Sequence, residues 1–82
     1  MNKEILEKIK KIAKNQNISL SSNDGNKTLD ELGLDSLSTM GIIVSIEKEY
    51  DVRIPDEILG NIKTLNQLVD TFDKLLKDKK NK

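Results

Sequence analysis

The chain has no cysteine and no histidine. Without Cys, neither a disulfide nor a thiolate metal site can brace it. Without His, it lacks the usual general base and the commonest neutral metal ligand. A self-sufficient hydrolase or metalloenzyme is therefore disfavoured, although carboxylate chemistry stays open. Aromatic residues make up only 2%, one Phe and one Tyr, so a core must be assembled from Ile, Leu and Val. No apolar run approaches the roughly 20 residues that span a bilayer. The charged start Met1-Asn2-Lys3-Glu4-Ile5 lacks the apolar region of a signal peptide. These absences lead to the expectation of a soluble cytoplasmic chain with no membrane contact. At 82 residues it is read as a single domain over 1–82, near the size at which one core becomes adequate.

What is present is unevenly charged. Met1 to Lys14 holds five Lys against two Glu, and Lys74 to Lys82 five Lys against one Asp. Between Asp24 and Glu57 there are nine acidic residues against three basic. The acidic middle argues against a nucleic-acid reader and suits a partner with a positive patch. The Lys-rich last five residues are expected to solubilise a frayed end.

Helical periodicity dominates. Ile5, Leu6, Ile9, Ile12 and Ala13 recur at three- and four-residue steps, predicting a first helix over 3–15. Ile18 and Leu20 then tuck loop side chains over the core, and Ser21 to Lys27 reads as plain turn chemistry. Thr28 and Glu31 have capping-box spacing, so a single helical turn is expected over 29–32, ended by Gly33. Asp35 is a good N-cap for a central helix over 36–50. Pro55 disfavours helical geometry at Ile54, and Pro55-Asp56-Glu57 can open a short third helix ending near Gly60-Asn61. Thr64 and Gln67 form a second capping box before the cleanest stripe in the chain: Leu65, Leu68, Val69, Phe72, Leu75 and Leu76. Residues 78–82 read as a tail. No strand pattern, repeat or linker is visible, so the fold class is all-α: a four-helix bundle of three longer helices and one short one, with an ordered core of about 3–77.

The central helix carries two apolar stripes where a bundle helix needs one. Ile42, Ile43, Ile46 and Tyr50 share one face; Leu37, Met40 and Val44 share another, rotated by more than about 90° at the helical step of 100° per residue. Periodicity alone leaves the second stripe open between deeper burial and a docking surface. Ser36 beside it is equally open. Most Ser residues at helix starts are caps, but Asp35 can take that duty. A hydroxyl on the first helical residue suits a phosphate ester, whose charge is favoured at a helix N-terminus. With no His to deprotonate it, Ser36 is better placed to be modified than to attack.

Leu32-Gly33-Leu34-Asp35-Ser36-Leu37 resembles the phosphopantetheine attachment motif of acyl carrier proteins. The likeness continues through Ile46-Glu47-Lys48-Glu49-Tyr50-Asp51-Val52-Arg53-Ile54-Pro55-Asp56-Glu57 and Thr64-Leu65. The resemblance implies a non-catalytic carrier. A phosphopantetheinyl transferase, using coenzyme A and Mg²⁺, would join 4'-phosphopantetheine to Ser36, flanked in the motif by Asp35 and Leu37. The arm would carry acyl groups as thioesters between acyl-loading and acyl-processing enzymes with basic docking patches. Met40, Val44, Glu47, Asp51 and Asp56 fall at the family's partner-binding positions, as does Leu37. No metal site and no nucleic acid are implied, and a monomer is expected. The chain departs from the acidic carriers of fatty acid synthesis, because the two turns after Ser36 hold Ser38 and Gly41, and Lys48 adds a positive charge. That favours a specialised fatty acid or polyketide-type pathway. A peptidyl or aminoacyl carrier of a nonribosomal-peptide-type pathway and an unmodified helical interaction module remain the alternatives.

Overall fold

The computed structural model describes residues 2–80. It contains α1 (Lys3–Asn15), α2 (Ser36–Tyr50), α3 (Asp56–Leu59) and α4 (Leu65–Lys80), with a 3-10 turn at Ser22–Asp24. The architecture is the expected all-α four-helix bundle.

The three longer helices start where side chains can satisfy orphan amides, whereas α3 starts after Pro55 with no side-chain cap. Asn2 Oδ1 accepts from the Glu4 and Ile5 amides at 3.0 and 3.2 Å, capping α1. Before α4, Thr64 Oγ1 accepts from the Gln67 amide at 3.2 Å, and Gln67 Oε1 accepts from the Thr64 amide at 3.0 Å. The anticipated capping box is in place. α1 packs against both α2 and α4. Its N-terminal end meets the C-terminal end of α2, where the Tyr50 hydroxyl donates to Glu4 Oε2 at 2.9 Å. Lys79 near the end of α4 reaches that same end of α2, and Asn2 Nδ2 donates to Asp73 Oδ1, midway along α4, at 2.8 Å. Both neighbours therefore run antiparallel to α1.

The core is aliphatic around one ring. Phe72, Ile5, Ile9, Ile42, Leu65, Leu68 and Val69 are fully shielded, and Leu20, Leu29, Leu34 and Ile54 enter from loops. Aliphatic burial at roughly 25 cal/mol per Å² is the main favourable term in a domain this small.

Two expectations are corrected. The stretch 21–27 is more than plain turn: the Ser21 amide donates to Asp24 Oδ2 at 2.9 Å and the Asn23 amide to Ser21 Oγ at 3.2 Å. It is also tied to the start of α4. Thr28 and Thr64 form an isolated antiparallel bridge, the Leu29 amide donates to the Lys63 carbonyl at 2.9 Å, and the Asn66 amide to the Gly25 carbonyl at 2.9 Å. The second correction concerns the expected tail at 78–82. α4 continues to Lys80, and Lys79 Nζ donates to the Tyr50 and Asp51 carbonyls at 2.8 and 3.0 Å. Far from merely solubilising a frayed end, this lysine satisfies carbonyls that the end of α2 leaves unpaired. Residues 81 and 82 lie outside the described residues.

Candidate functional site

Thr28 to Leu34 make one closed turn that delivers the chain to α2. Thr28 and Glu31 cap each other, with the Thr28 amide donating to Glu31 Oε1 at 2.9 Å and the Glu31 amide to Thr28 Oγ1 at 3.2 Å. The turn ends in the paired bonds of a Schellman motif: Leu34 amide to Leu29 carbonyl at 2.9 Å, Gly33 amide to Asp30 carbonyl at 3.1 Å. Gly33 has φ +83°, the left-handed geometry that motif requires and that glycine adopts without a Cβ penalty. Leu29 and Leu34, the hydrophobic pair of the motif, are both buried. Leu34 was not among the anticipated core residues; its place immediately before a predicted N-cap, just after a helix-stopping glycine, is the signal that marks it.

Asp35 Oδ1 accepts from the Ser38 amide at 2.7 Å, so the N-cap belongs to Asp35 and not to Ser36. That backbone bond, followed by a bond from the Ser38 side chain, holds the Asp35 carboxyl below the usual carboxylate range. Ser36 is the first helical residue and is exposed. Its hydroxyl is thus free of capping duty. The same carboxylate already answers the positive end of α2, so the helix dipole offers a phosphate at Ser36 less than an uncapped terminus would.

Ser36 opens onto a groove of about 380 Å³ between α2 and α3, lined among others by Leu29, Leu34, Met40, Ile43, Leu59 and Ile62. On α2 the two stripes part company. Ile42, Ile43 and Ile46 are buried, whereas Leu37 is 84% exposed, Met40 44% and Val44 38%. The second stripe is surface and does not fill the core.

The anticipated partner-binding acids divide into different duties. Asp56 is exposed in the first turn of α3. Asp51 is exposed, sits in the left-handed region at φ 54° past the end of α2, and lies 3.5 Å from Lys79 Nζ. Glu47 is half-buried, and its Oε2 accepts from the Ile54 amide at 2.8 Å. Its carboxylate therefore fastens the α2–α3 connection, a duty its spacing did not announce. Ser36, Asp35 and Met40 meet at the groove; Val44, Glu47, Asp51 and Asp56 do not line it. Leu59 and Ile62, which do, were not singled out by periodicity because α3 is too short to show a stripe.

An exposed hydroxyl beside an open groove, next to an apolar surface strip, fits a tethered arm. The family model for the phosphopantetheine attachment site matches residues 3–72. The chain belongs to the acyl carrier protein family. An acyl carrier protein homolog of Ureaplasma parvum is 45% identical over 69 residues, spanning 84% of this chain and 90% of the relative. One from Mycoplasma genitalium is 44% identical over 78 residues, 93% of each. The crystal structure of an acyl carrier protein from Thermotoga maritima superposes with a TM-score of 0.82 at 30% identity, covering 93% of this chain and 91% of that one. The prosthetic group of this family is 4'-phosphopantetheine. Among the described residues no helix is long and apolar enough to cross a membrane, and no group of three or more potential ligands could hold a metal ion.

Proposed function

We propose that Ser36 is the residue that receives 4'-phosphopantetheine, and that the chain works as one non-catalytic carrier unit. The observation that carries this reading is the division of labour at the start of α2. Asp35 caps, Ser36 projects, and a groove and an apolar strip lie on either side. When bound, the arm supplies a terminal thiol that holds an acyl group as a thioester.

The chain's own residues orient and expose. The closed turn over Thr28 to Leu34 fixes where α2 begins, and buried Leu34 keeps that turn from swinging. Asp35 holds the first turn of α2, so the Ser36 hydroxyl is presented from a rigid element. With no histidine in the chain, and with the neighbouring Asp35 carboxylate engaged by the Ser38 amide and held below the usual carboxylate range, the base that takes the hydroxyl proton is assigned to the transferase. Leu37, Met40 and Val44 give that enzyme, and the acyl-loading and acyl-processing enzymes after it, an apolar landing strip. A specialised fatty acid or polyketide-type pathway, a monomer and a cytoplasmic location belong to the same reading. The loss of acids from the two turns after Ser36 supports the specialised pathway.

The test is intact-mass measurement after incubation with coenzyme A, Mg²⁺ and a broad-specificity phosphopantetheinyl transferase. The wild-type chain gains one arm, and Ser36→Ala gains none. An arm that persists in Ser36→Ala overturns the site; no arm on the wild type with several transferases overturns the carrier reading.

A further inference from the structure

The docking face of α2 is bipolar in charge. At 100° per residue, the buried Ile42, Ile43 and Ile46 define an inward direction, and the positions opposite it are Leu37, Val44 and Lys48. The crest of the exposed face thus ends in a cation. Lys48 is exposed, and it makes no ion pair among the described residues.

The two flanks of that crest differ. Toward α3 lie Met40, which lines the groove, and Glu47, followed by Asp51 and Asp56. Glu47 is bonded to the Ile54 amide, whereas Asp51 stays exposed beside Lys79 and Asp56 makes no ion pair among the described residues, so this flank keeps acids that a partner can reach. Toward α1 the acid is Glu49, and it is already paired with Lys8 of α1 at 2.8 Å. Gly41 lies against Gln16, and Ser45 lines a cleft shared with Lys11, an exposed lysine with no ion pair among the described residues. A surface that is basic throughout would meet Asp56 favourably and Lys48 unfavourably, because like charges brought together at an interface are costly.

We propose that Lys48 is a specificity-determining residue of this docking face. The partner it fits is an enzyme surface with an apolar furrow, basic groups on the side that meets Asp51 and Asp56, and a carboxylate opposite Lys48. This inference rests on the carrier reading and adds to it a charge pattern that fixes the rotation of α2 about its own axis in the docked complex. Lys48 acts at encounter and in register, away from the Ser36 hydroxyl.

The phosphopantetheinyl transferase of the same organism is the probe, with coenzyme A and Mg²⁺ and the carrier as varied substrate. Lys48→Glu should raise KM for the carrier about tenfold with kcat within about twofold, and Lys48→Gln should raise it less. Raising the salt well above physiological strength should shrink the gap between wild type and Lys48→Glu, since exposed charges are screened within about 10 Å at 0.1 M and closer still above it. A carbodiimide condensation, in which the Lys48 amine displaces the activated oxygen of a partner carboxylate to form an amide, should give a Lys48 cross-link to a partner Asp or Glu by peptide mass spectrometry. Circular dichroism establishes that both variants keep the wild-type helix content. An unchanged or lowered KM in Lys48→Glu overturns the inference even when Ser36 is modified normally. A wild-type chain that takes no arm from any transferase overturns the carrier reading instead, and this inference with it.

Discussion

α4 and α2 are similar in length, yet they put their apolar residues to different uses. α4 has one stripe, and its buried members Leu65, Leu68, Val69 and Phe72 reach zero exposure. α2 has two stripes and buries only one of them. A helix that serves the fold alone needs a single stripe; the second on α2 is surface that the fold does not use. The proposed function gives that surface, beside an exposed hydroxyl, to partner proteins.

Matched truncations on the two helices give the sharpest break of that contrast. Phe72→Ala empties the centre of the core and should cost about 3–5 kcal/mol, enough to unfold a domain of this size in large part. Leu37→Ala removes a side chain that is 84% exposed and should shift stability by no more than about 0.5 kcal/mol. It should still weaken transfer to Ser36. Thermal melts by circular dichroism check both. A Phe72→Ala chain that melts near wild type, or a Leu37→Ala chain that loses several kcal/mol, would show that burial does not separate the helices in this way.

The same contrast explains what could be read in advance. α1 and α4 were legible because one-sided burial imposes one period, and their starts were legible because caps act over three residues. The two stripes of α2 were equally visible, but period carries no information on which stripe faces in. The ties of 25–29 to the start of α4 were not legible at all, since backbone pairing between distant segments leaves no side-chain signature. Lys79 was misread for a related reason: a lysine near a chain end looks solvated until the carbonyls at the end of another helix come within reach. At the site, Ser36 and Asp35 stood out by local spacing, while Leu59 and Ile62 entered through tertiary placement of α3.

Glu47 tests the border between the two uses of α2. As a docking acid it would matter by its charge; as the partner of the Ile54 amide it matters as an acceptor. Ile54 is 2% exposed, so its amide has little access to replacement water once the carboxylate is gone. Glu47→Ala should therefore cost about 1–2 kcal/mol, whereas Glu47→Gln, which keeps an acceptor oxygen, should recover most of it. Urea unfolding midpoints measure the difference, and hydrogen exchange at the Ile54 amide localises it. Equal losses in the two variants would assign Glu47 to charge and remove it from the fastening of α3.

Gly41 carries the smallest expected effect and the finest version of the comparison, because an exposed glycine inside α2 weakens the helix. Replacing it by Ala should gain about 1 kcal/mol of helix propensity. Opposing that, a Cβ at this position would come 3.3 Å from Gln16 Nε2, which donates to the Ser38 carbonyl at 3.4 Å. The contact is with the far end of a flexible side chain, which can retreat by a few tenths of an ångström, so the gain should survive in part. Gly41→Ala is expected to stabilise by about 0.5 kcal/mol, a rise of roughly 2–4 °C in Tm. With Gln16→Ala as background, the same substitution should reach the full propensity gain, because nothing then opposes the new methyl group. If Gly41→Ala destabilises alone but not in that background, the Gln16 link between α1 and the first turns of α2 outweighs propensity. Gly41 would then serve the placement of Ser36's helix and not its contacts with partners.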